Sequence, residues 1–374
     1  MKCIFGFDIG GTNIKIGKFV LEEGEFKLAL DYYIKTIISD DYHDLLIQII
    51  DEIDNNLNDD ELYGIGVGVP GPVVDGVVLG AENIHFGEVD IKGFLKEKYP
   101  DAIIKVLNDA NTATLGEWYY GDGNKASSMI LVTLGTGIGG GIIVNGKLLK
   151  GATGSAGEIG HIKIFPFNGR ECTCGLSGCV EQYASGTGIV RTALGMMNNG
   201  NTVIKNKKRI HAKDVFDGAY QGDKICLDVI DKTGYYLAIA LADIADLINP
   251  EKIVIGGGLS RSGEILLESV KKHFASLCFY TVKNTEITLA TLYNTAGIMG
   301  CLYAVSVDEE EWFRSFFFFL FTKICHFSLM IISAIIQFLC FSLRNFRKKW
   351  VIIFLFLDKK LIFNLHNYST CGKI

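Results

Sequence analysis

Residues 3–21, CIFGFDIGGTNIKIGKFVL, have an echo in residues 130–149, ILVTLGTGIGGGIIVNGKLL. Each is a β-prone run, a turn of Gly and Thr, and a second β-prone run, the pattern of an antiparallel hairpin. Two copies this far apart predict two lobes, each opening with a hairpin. The second copy runs on through Asn145 and Gly146, a strong turn signal of its own.

The intervening segments alternate between β and α. YIKTII at 33–38 reads as a strand, and LLIQIIDEIDNNL at 45–57 has apolar positions at helical spacing. YGIGVGVPGPV at 63–73 is a strand entering a proline-stiffened turn, and IIKVLN at 103–108 is another strand, followed by a helix starting close to Asp109. In the second half, a helix over 228–248, the strand KIVIGGG, a helix over 263–277 and a helix ending at 305 complete the series. The expected fold is α/β, with two lobes facing a cleft. Residues 1–110, completed by helix 292–305, form the first lobe; residues 111–291, carrying a loop at 158–181, form the second.

Three glycine turns follow strands. Asp8 closes the first strand, with Gly10, Gly11 and Thr12 in the turn; Gly135, Thr136 and Gly137 form the second turn, and Gly256, Gly257 and Gly258 the third. Such turns let backbone N–H groups approach phosphate oxygens, and the third could admit the flat face of a base, though glycines also mark ordinary turns. Asp8 reads either as a capping residue or as a holder of Mg²⁺ beside a triphosphate. Asp109 reads as a helix cap, as a general base for phosphoryl transfer to an alcohol, or as both, with Asn108 beside it to fix the substrate. Glu117 is a further carboxylate of this stretch.

Of ten cysteines, three fall at 172, 174 and 179, and His161 precedes them. One nitrogen and three sulfurs suit tetrahedral Zn²⁺ with no open position; a redox pair is the alternative. This usage fits a reducing compartment, hence a cytoplasmic protein. The start, MKCIFGFDIGG, lacks the form of a secretory signal. A net charge of −6, with no basic stripe before residue 300, argues against a nucleic-acid partner.

Taken in order, DIGGTNIKIG, VGVPGPV, NDANTATLGE, LVTLGTGIGGGII, GSAGEIGH, CTCGLSGCVEQYASGTGI and IVIGGGLS make residues 2–305 resemble the ROK family (repressors, ORFs and sugar kinases), in particular its bacterial glucokinases. The resemblance implies a two-domain actin-like, ribonuclease H-like ATPase fold, with sugar and ATP in the interlobe cleft. It gives Asp109 the role of catalytic base toward the sugar's O6. Asn83, Asn108, Glu158, His161 and Glu181 would surround the sugar, with His161 also on zinc. ATP and Mg²⁺ would lie near Asp8 and the turns at 10–12 and 135–137. A dimer or larger homo-oligomer is implied too. CVEQYASGTGI favours glucose as the hexose, over fructose, N-acetylglucosamine or N-acetylmannosamine. A ROK repressor carries a helix-turn-helix before the body, for which a first strand starting by Ile4 leaves no room. A membrane-tethered sugar-binding or regulatory protein is a rival of a different class.

That rival rests on residues 306–374, where the composition changes. Residues 324–343 hold no Asp, Glu, Lys or Arg and could cross a bilayer as a helix. RNFRKK at 344–349 would then stay cytosolic and push the body outward, away from cytosolic ATP. Aberrant translation, membrane attachment and packing on a partner are the three readings of this extension.

Overall fold

The computed structural model describes residues 1–262 and 264–307; residues 324–343, the stretch that could cross a bilayer, lie outside the described residues. No helix among the described residues is long and apolar enough to cross a membrane.

The first sheet is built from β1 (Lys2–Ile9), β2 (Asn13–Glu22), β3 (Glu25–Lys35), β4 (Glu61–Val69) and, after a small three-stranded sheet of β5 (Val73–Val74), β6 (Val77–Val78) and β7 (Val89–Asp90), from β8 (Ile103–Asn108). The order is β3-β2-β1-β4-β8, with β1, β2 and β3 antiparallel and β4 and β8 parallel to β1. The second sheet, β9 (Ser128–Leu134), β10 (Ile138–Val144), β11 (Lys147–Leu148), β12 (Lys252–Gly256) and β13 (Glu286–Leu289), repeats that arrangement as β11-β10-β9-β12-β13. The echo in sequence is thus an echo in topology. Both copies open with a hairpin: Ile9 faces Ile14 across the first turn, and Leu134 faces Ile138 across the second.

Helices α1 (Tyr42–Leu57) and α2 (Ile91–Lys98) accompany the first sheet. α1 buries Leu45, Leu46, Ile49 and Ile53 on one face, and Asp41 caps it by accepting from His43 N at 3.0 Å. The core of the second sheet is closed by α4 (Glu181–Ala184), α5 (Gly186–Met196), α6 (Ala212–Tyr220), α7 (Lys224–Ile248) and α8 (Glu264–Leu277). α7 starts before the expected residue 228 because Asp223 caps it, accepting from Cys226 N at 3.0 Å. β3 stops at Lys35, short of the expected 38, with Thr36 N making a last bond to Thr12 O at 3.1 Å. β13 was not foreseen: its four residues are too few for a period to show.

Two helices join the sheets. α3 (Asp109–Tyr120) leaves the end of β8 and packs Leu115 and Trp118 against Met129, Leu131 and Ile143 of the second sheet. α9 (Ala296–Ser306) packs Ile298, Leu302 and Val305 on Ile4 and Phe19 of the first. Residues 293–295 make a 3-10 turn, so this helix begins later than the expected 292. Tyr293, at φ +48°, breaks the helical backbone here, and just before it the buried carboxylate of Glu117 accepts from Leu292 N at 2.7 Å and Thr291 N at 3.2 Å.

α3 and α9 cross with backbone in contact, because a Cβ on Gly300 would lie 1.7 Å from Thr112 O. We therefore expect Gly300→Ala to force the helices apart and destabilise the protein by about 1–3 kcal/mol, as overpacking does. A lowered denaturant midpoint checks this; an unchanged one refutes the close crossing.

Candidate active site

A cavity of about 770 Å³ is lined by Asp8 at the end of β1, Asn108 and Asp109 at the β8–α3 junction, Thr133 and Gly135 at the end of β9, and Gly256 at the end of β12. Strand ends in open α/β sheets commonly present ligand sites in this way. The wall also carries Asn83, Gly137, Glu158, His161, Glu181 and Gly257. Gly10, Gly11, Thr12, Thr136 and Gly258, expected near a nucleotide, are not on that wall. Gly11 nonetheless abuts it, since a Cβ there would lie 3.2 Å from Asn83 O.

Asn108, and not Asp109, caps α3: its Oδ1 accepts from Asn111 N at 3.2 Å, while Nδ2 donates to Gly71 O at 3.1 Å. Capping by Asn108 leaves Asp109 as the first helical residue, with Oδ1 taking its neighbour's amide, Ala110 N, at 2.8 Å. Burial raises the Asp109 pKa above the usual carboxylate range, partly offset by that hydrogen bond. Asp8 is pushed up to about 7, by burial first and then by the charge of Asp109, against a smaller opposite effect of Lys15. Glu158 is also raised, by desolvation first, with Asp109 and Glu181 adding to it. Among the described residues on the cavity wall there is no Lys or Arg to balance these carboxylates. Such a set fits a divalent cation.

The glycine turns are braced from within. Gly10 N donates to Asn13 O at 3.0 Å, and Thr36 Oγ1 donates to Gly10 O at 2.6 Å. Gly135 N donates to Gly137 O at 3.0 Å, and Gly186 N at the start of α5 donates to Gly135 O at 2.8 Å. Glu181 presses on this second turn: Oε2 accepts from Ile138 N at 2.9 Å, and a Cβ on Gly137 would come within 2.4 Å of it. Glycine at 137 is what lets the carboxylate approach.

The loop at 158–181 folds back on itself, with Val180 N donating to Ile162 O at 2.8 Å and Cys172 N to Leu176 O at 2.8 Å. It gathers His161, Cys172, Cys174 and Cys179 so that one ligand atom from each lies within 4.8 Å of the others. Cys174 and Cys179 Sγ are 3.6 Å apart, and Cys172 Sγ is 3.7 Å from His161 Nδ1. A tetrahedron with Zn–S bonds of about 2.3 Å has edges of about 3.8 Å. The donor set therefore fits zinc in both chemistry and spacing. His161 stands at the boundary, with Nδ1 toward the cysteines and the residue on the cavity wall. Lys163 Nζ lies against Cys179 Sγ and 4.0 Å from Cys174 Sγ, a positive charge beside the thiols.

Sequence reasoning passed over Asn111, which is on the wall and 4% exposed; its Oδ1 is buried with no donor among the described residues. Its place as the second Asn of NDAN was the available signal. Glu117, considered beside Asp109, has its carboxylate engaged by the chain entering α9.

The chain is similar in sequence and in structure to known proteins. The profile of the ROK family matches residues 4–307. A glucokinase of Halalkalibacterium halodurans is 40% identical over 319 residues, covering 82% of this chain and 96% of its own. A xylose repressor of Caldicellulosiruptor bescii is 29% identical over 82% of this chain and 78% of its own. Among solved structures, a ROK family glucokinase from Streptomyces griseus in complex with glucose and AMPPNP superposes with a TM-score of 0.68 at 32% identity, covering 81% of this chain and 99% of that one.

The raised Asp8 pKa carries a stability consequence. Ionising Asp8 in the folded protein costs stability as pH rises from the ordinary aspartate range toward about 7, and the full cost persists above it. Without Mg²⁺ or nucleotide, Asp8→Asn should raise the thermal midpoint, by an advantage growing between pH 5 and 7 to the order of 1–3 kcal/mol and then levelling. Melting curves at pH 5, 7 and 8 test it; a variant less stable at pH 8 contradicts the assignment.

Proposed function

The chain belongs to the ROK family, and from that premise we propose that it transfers the γ-phosphoryl group of ATP to O6 of glucose, giving glucose 6-phosphate and ADP. The observation that carries this reading is Asp109, a partly buried carboxylate on the same cavity wall as Glu158, His161 and Glu181 and as Asp8, Gly135, Gly137, Gly256 and Gly257. The relatives named glucokinase and the neighbour solved with glucose and AMPPNP supply the substrate class. On this reading the two sheets are the cores of two lobes, residues 1–110 with helix 292–305 and residues 111–291, and the cavity is the cleft between them.

Asp109 accepts the proton of O6 as that oxygen attacks the γ-phosphorus. Its raised pKa brings it nearer to operating pH, where a general base is most effective. Asn108 holds the helix start and so aims Asp109. Asn83, Asn108, Glu158, His161 and Glu181 bind the sugar hydroxyls. The backbone at 10–12 and 135–137 receives the phosphates, and Gly256, Gly257 and Gly258 leave room for the base. Asp8 would hold Mg²⁺, which would supply positive charge against the charge developing on the phosphate. His161, Cys172, Cys174 and Cys179 would hold Zn²⁺ in a closed site that shapes the sugar-side loop. Closure of the lobes would exclude water and limit ATP hydrolysis. On this reading the working body uses cytosolic ATP and is cytoplasmic, and it acts as a homo-oligomer without a nucleic-acid partner.

An ATP-coupled screen of glucose, mannose, fructose, N-acetylglucosamine and N-acetylmannosamine tests the proposal; turnover with none of them overturns it. Asp109→Asn should cut kcat by about 10²–10⁴-fold and change glucose KM little, because only proton acceptance is lost. Near-normal turnover would remove Asp109 from the role of base. Cys174→Ser should release bound zinc and raise the glucose KM through loosening of the loop; an unchanged metal content would reject the ligand set.

A further inference from the structure

Gln182 follows Glu181 in α4 and is 6% exposed. Its side-chain amide joins three groups. Arg191 Nη1 donates to Gln182 Oε1, and Gln182 Nε2 donates to Cys172 Sγ at 3.5 Å and to Glu181 Oε1 at 3.3 Å. A guanidinium can only donate, so Arg191 fixes which end of the amide is oxygen. The amino end must then face the thiol and the carboxylate, and its two N–H groups suffice for both. The main chain of the same residue is held as well: Arg170 Nη1 donates to Gln182 O at 2.7 Å, while Nη2 reaches Thr192 Oγ1 at 3.0 Å. On its far side Glu181 takes the Ile138 amide. A continuous polar path thus runs from the cysteine cluster through one buried amide to a carboxylate on the cavity wall.

We propose that Gln182 is a positioning residue that couples the metal cluster to Glu181, so that metal occupancy and sugar binding reinforce each other. Cys172 as a bound thiolate and Glu181 receiving sugar hydroxyls are two acceptors served by one NH₂ group. Fixing the amide for one fixes it for the other. Coupling of this kind is reciprocal: a metal that tightens the sugar site is itself retained more firmly when sugar is bound. The inference rests on the sugar-kinase reading for the identity of the small ligand. Its contact with Cys172 stands independently of that reading.

The test uses the full chain loaded with zinc. Zinc release to a chromogenic chelator is timed with and without saturating glucose, and kcat and KM are measured in parallel. In the unsubstituted protein glucose should slow release severalfold, by about 5-fold or more. Gln182→Leu, similar in volume but unable to donate, should release zinc about 10-fold faster and abolish the glucose effect. It should raise glucose KM about 10-fold with kcat within about 3-fold, since the lost contact orients the ground state. Arg191→Met, which frees the amide to flip, should weaken the glucose effect in the same direction. Glucose protection undiminished in Gln182→Leu, or a fall in kcat at unchanged KM, overturns the proposal. If Gln182→Leu lacks a cooperative melt, Arg191→Met decides, and full glucose protection there overturns it. Failure of the kinase reading shows separately, as no phosphorylation of any sugar by the unsubstituted protein; sugar-free zinc release unchanged by Gln182→Leu would then overturn the coupling through Cys172.

Discussion

The backbone contact between α3 and α9 governs the geometry of everything else. α3 starts at the end of a strand of the first sheet and packs its far half on the second, while α9 lies on the first sheet. Their closest approach, at Gly116 and Gly300, has no room for a side chain. Asp109 is the first residue of α3 and Asp8 lies against Gly297 near the start of α9, where a Cβ would be 2.3 Å from its Oδ2. Both carboxylates are therefore placed by one helix pair. A contact made of main chain cannot be relaxed by rotating a side chain, so the pair holds its spacing more firmly than ordinary side-chain packing would.

That placement is electrostatically costly. Burial raises both aspartates, the charge of Asp109 adds to the rise at Asp8, and among the described residues the cavity wall offers no ammonium or guanidinium in return. Fold stability alone would favour a neutral pair here. Strongly perturbed carboxylates sharing a cavity are more often retained for a reaction than for packing, and the two environments differ usefully. Asp8, pushed up to about 7 and touching no hydrogen-bond donor of its own turn, suits a cation; Asp109, oriented by the helix that Asn108 caps, suits a proton.

The repeated hairpins made much of the fold legible, because a two-residue period and glycine turns are local signals. The same holds for the cysteine cluster, whose spacing carries its chemistry. Elements set by distant partners were not legible. α9 starts late because Tyr293 takes a left-handed backbone, beside the amides of Thr291 and Leu292 that Glu117, far away in the chain, accepts. In the site, the capping role fell on Asn108 although both Asn108 and Asp109 are good caps, since only the strand end β8 decides which residue has the extended backbone a cap needs. Five of the expected nucleotide-side residues, Gly10, Gly11, Thr12, Thr136 and Gly258, are not on the cavity wall. The amides of Gly10 and Gly135 are engaged within their own turns. A glycine turn in sequence says that main chain can come close to a ligand; it does not say which N–H remains available.

The distribution of charge narrows how an anionic co-substrate could be held. A triphosphate entering a wall of Asp8, Asp109, Glu158 and Glu181 is repelled unless positive charge arrives with it. Three described cations, Lys15, Arg191 and Lys163, are committed elsewhere, to Asp31, to Gln182 and to the cysteine cluster. With no Lys or Arg among the described residues on the wall, main-chain N–H groups and a divalent cation, arriving with the nucleotide or held on Asp8, would meet the phosphates. Nucleotide affinity in this cavity should therefore depend on the metal far more than it would in a site lined by lysine or arginine, and two of the carboxylates that make the metal necessary, Glu158 and Glu181, are the ones proposed above to bind the sugar.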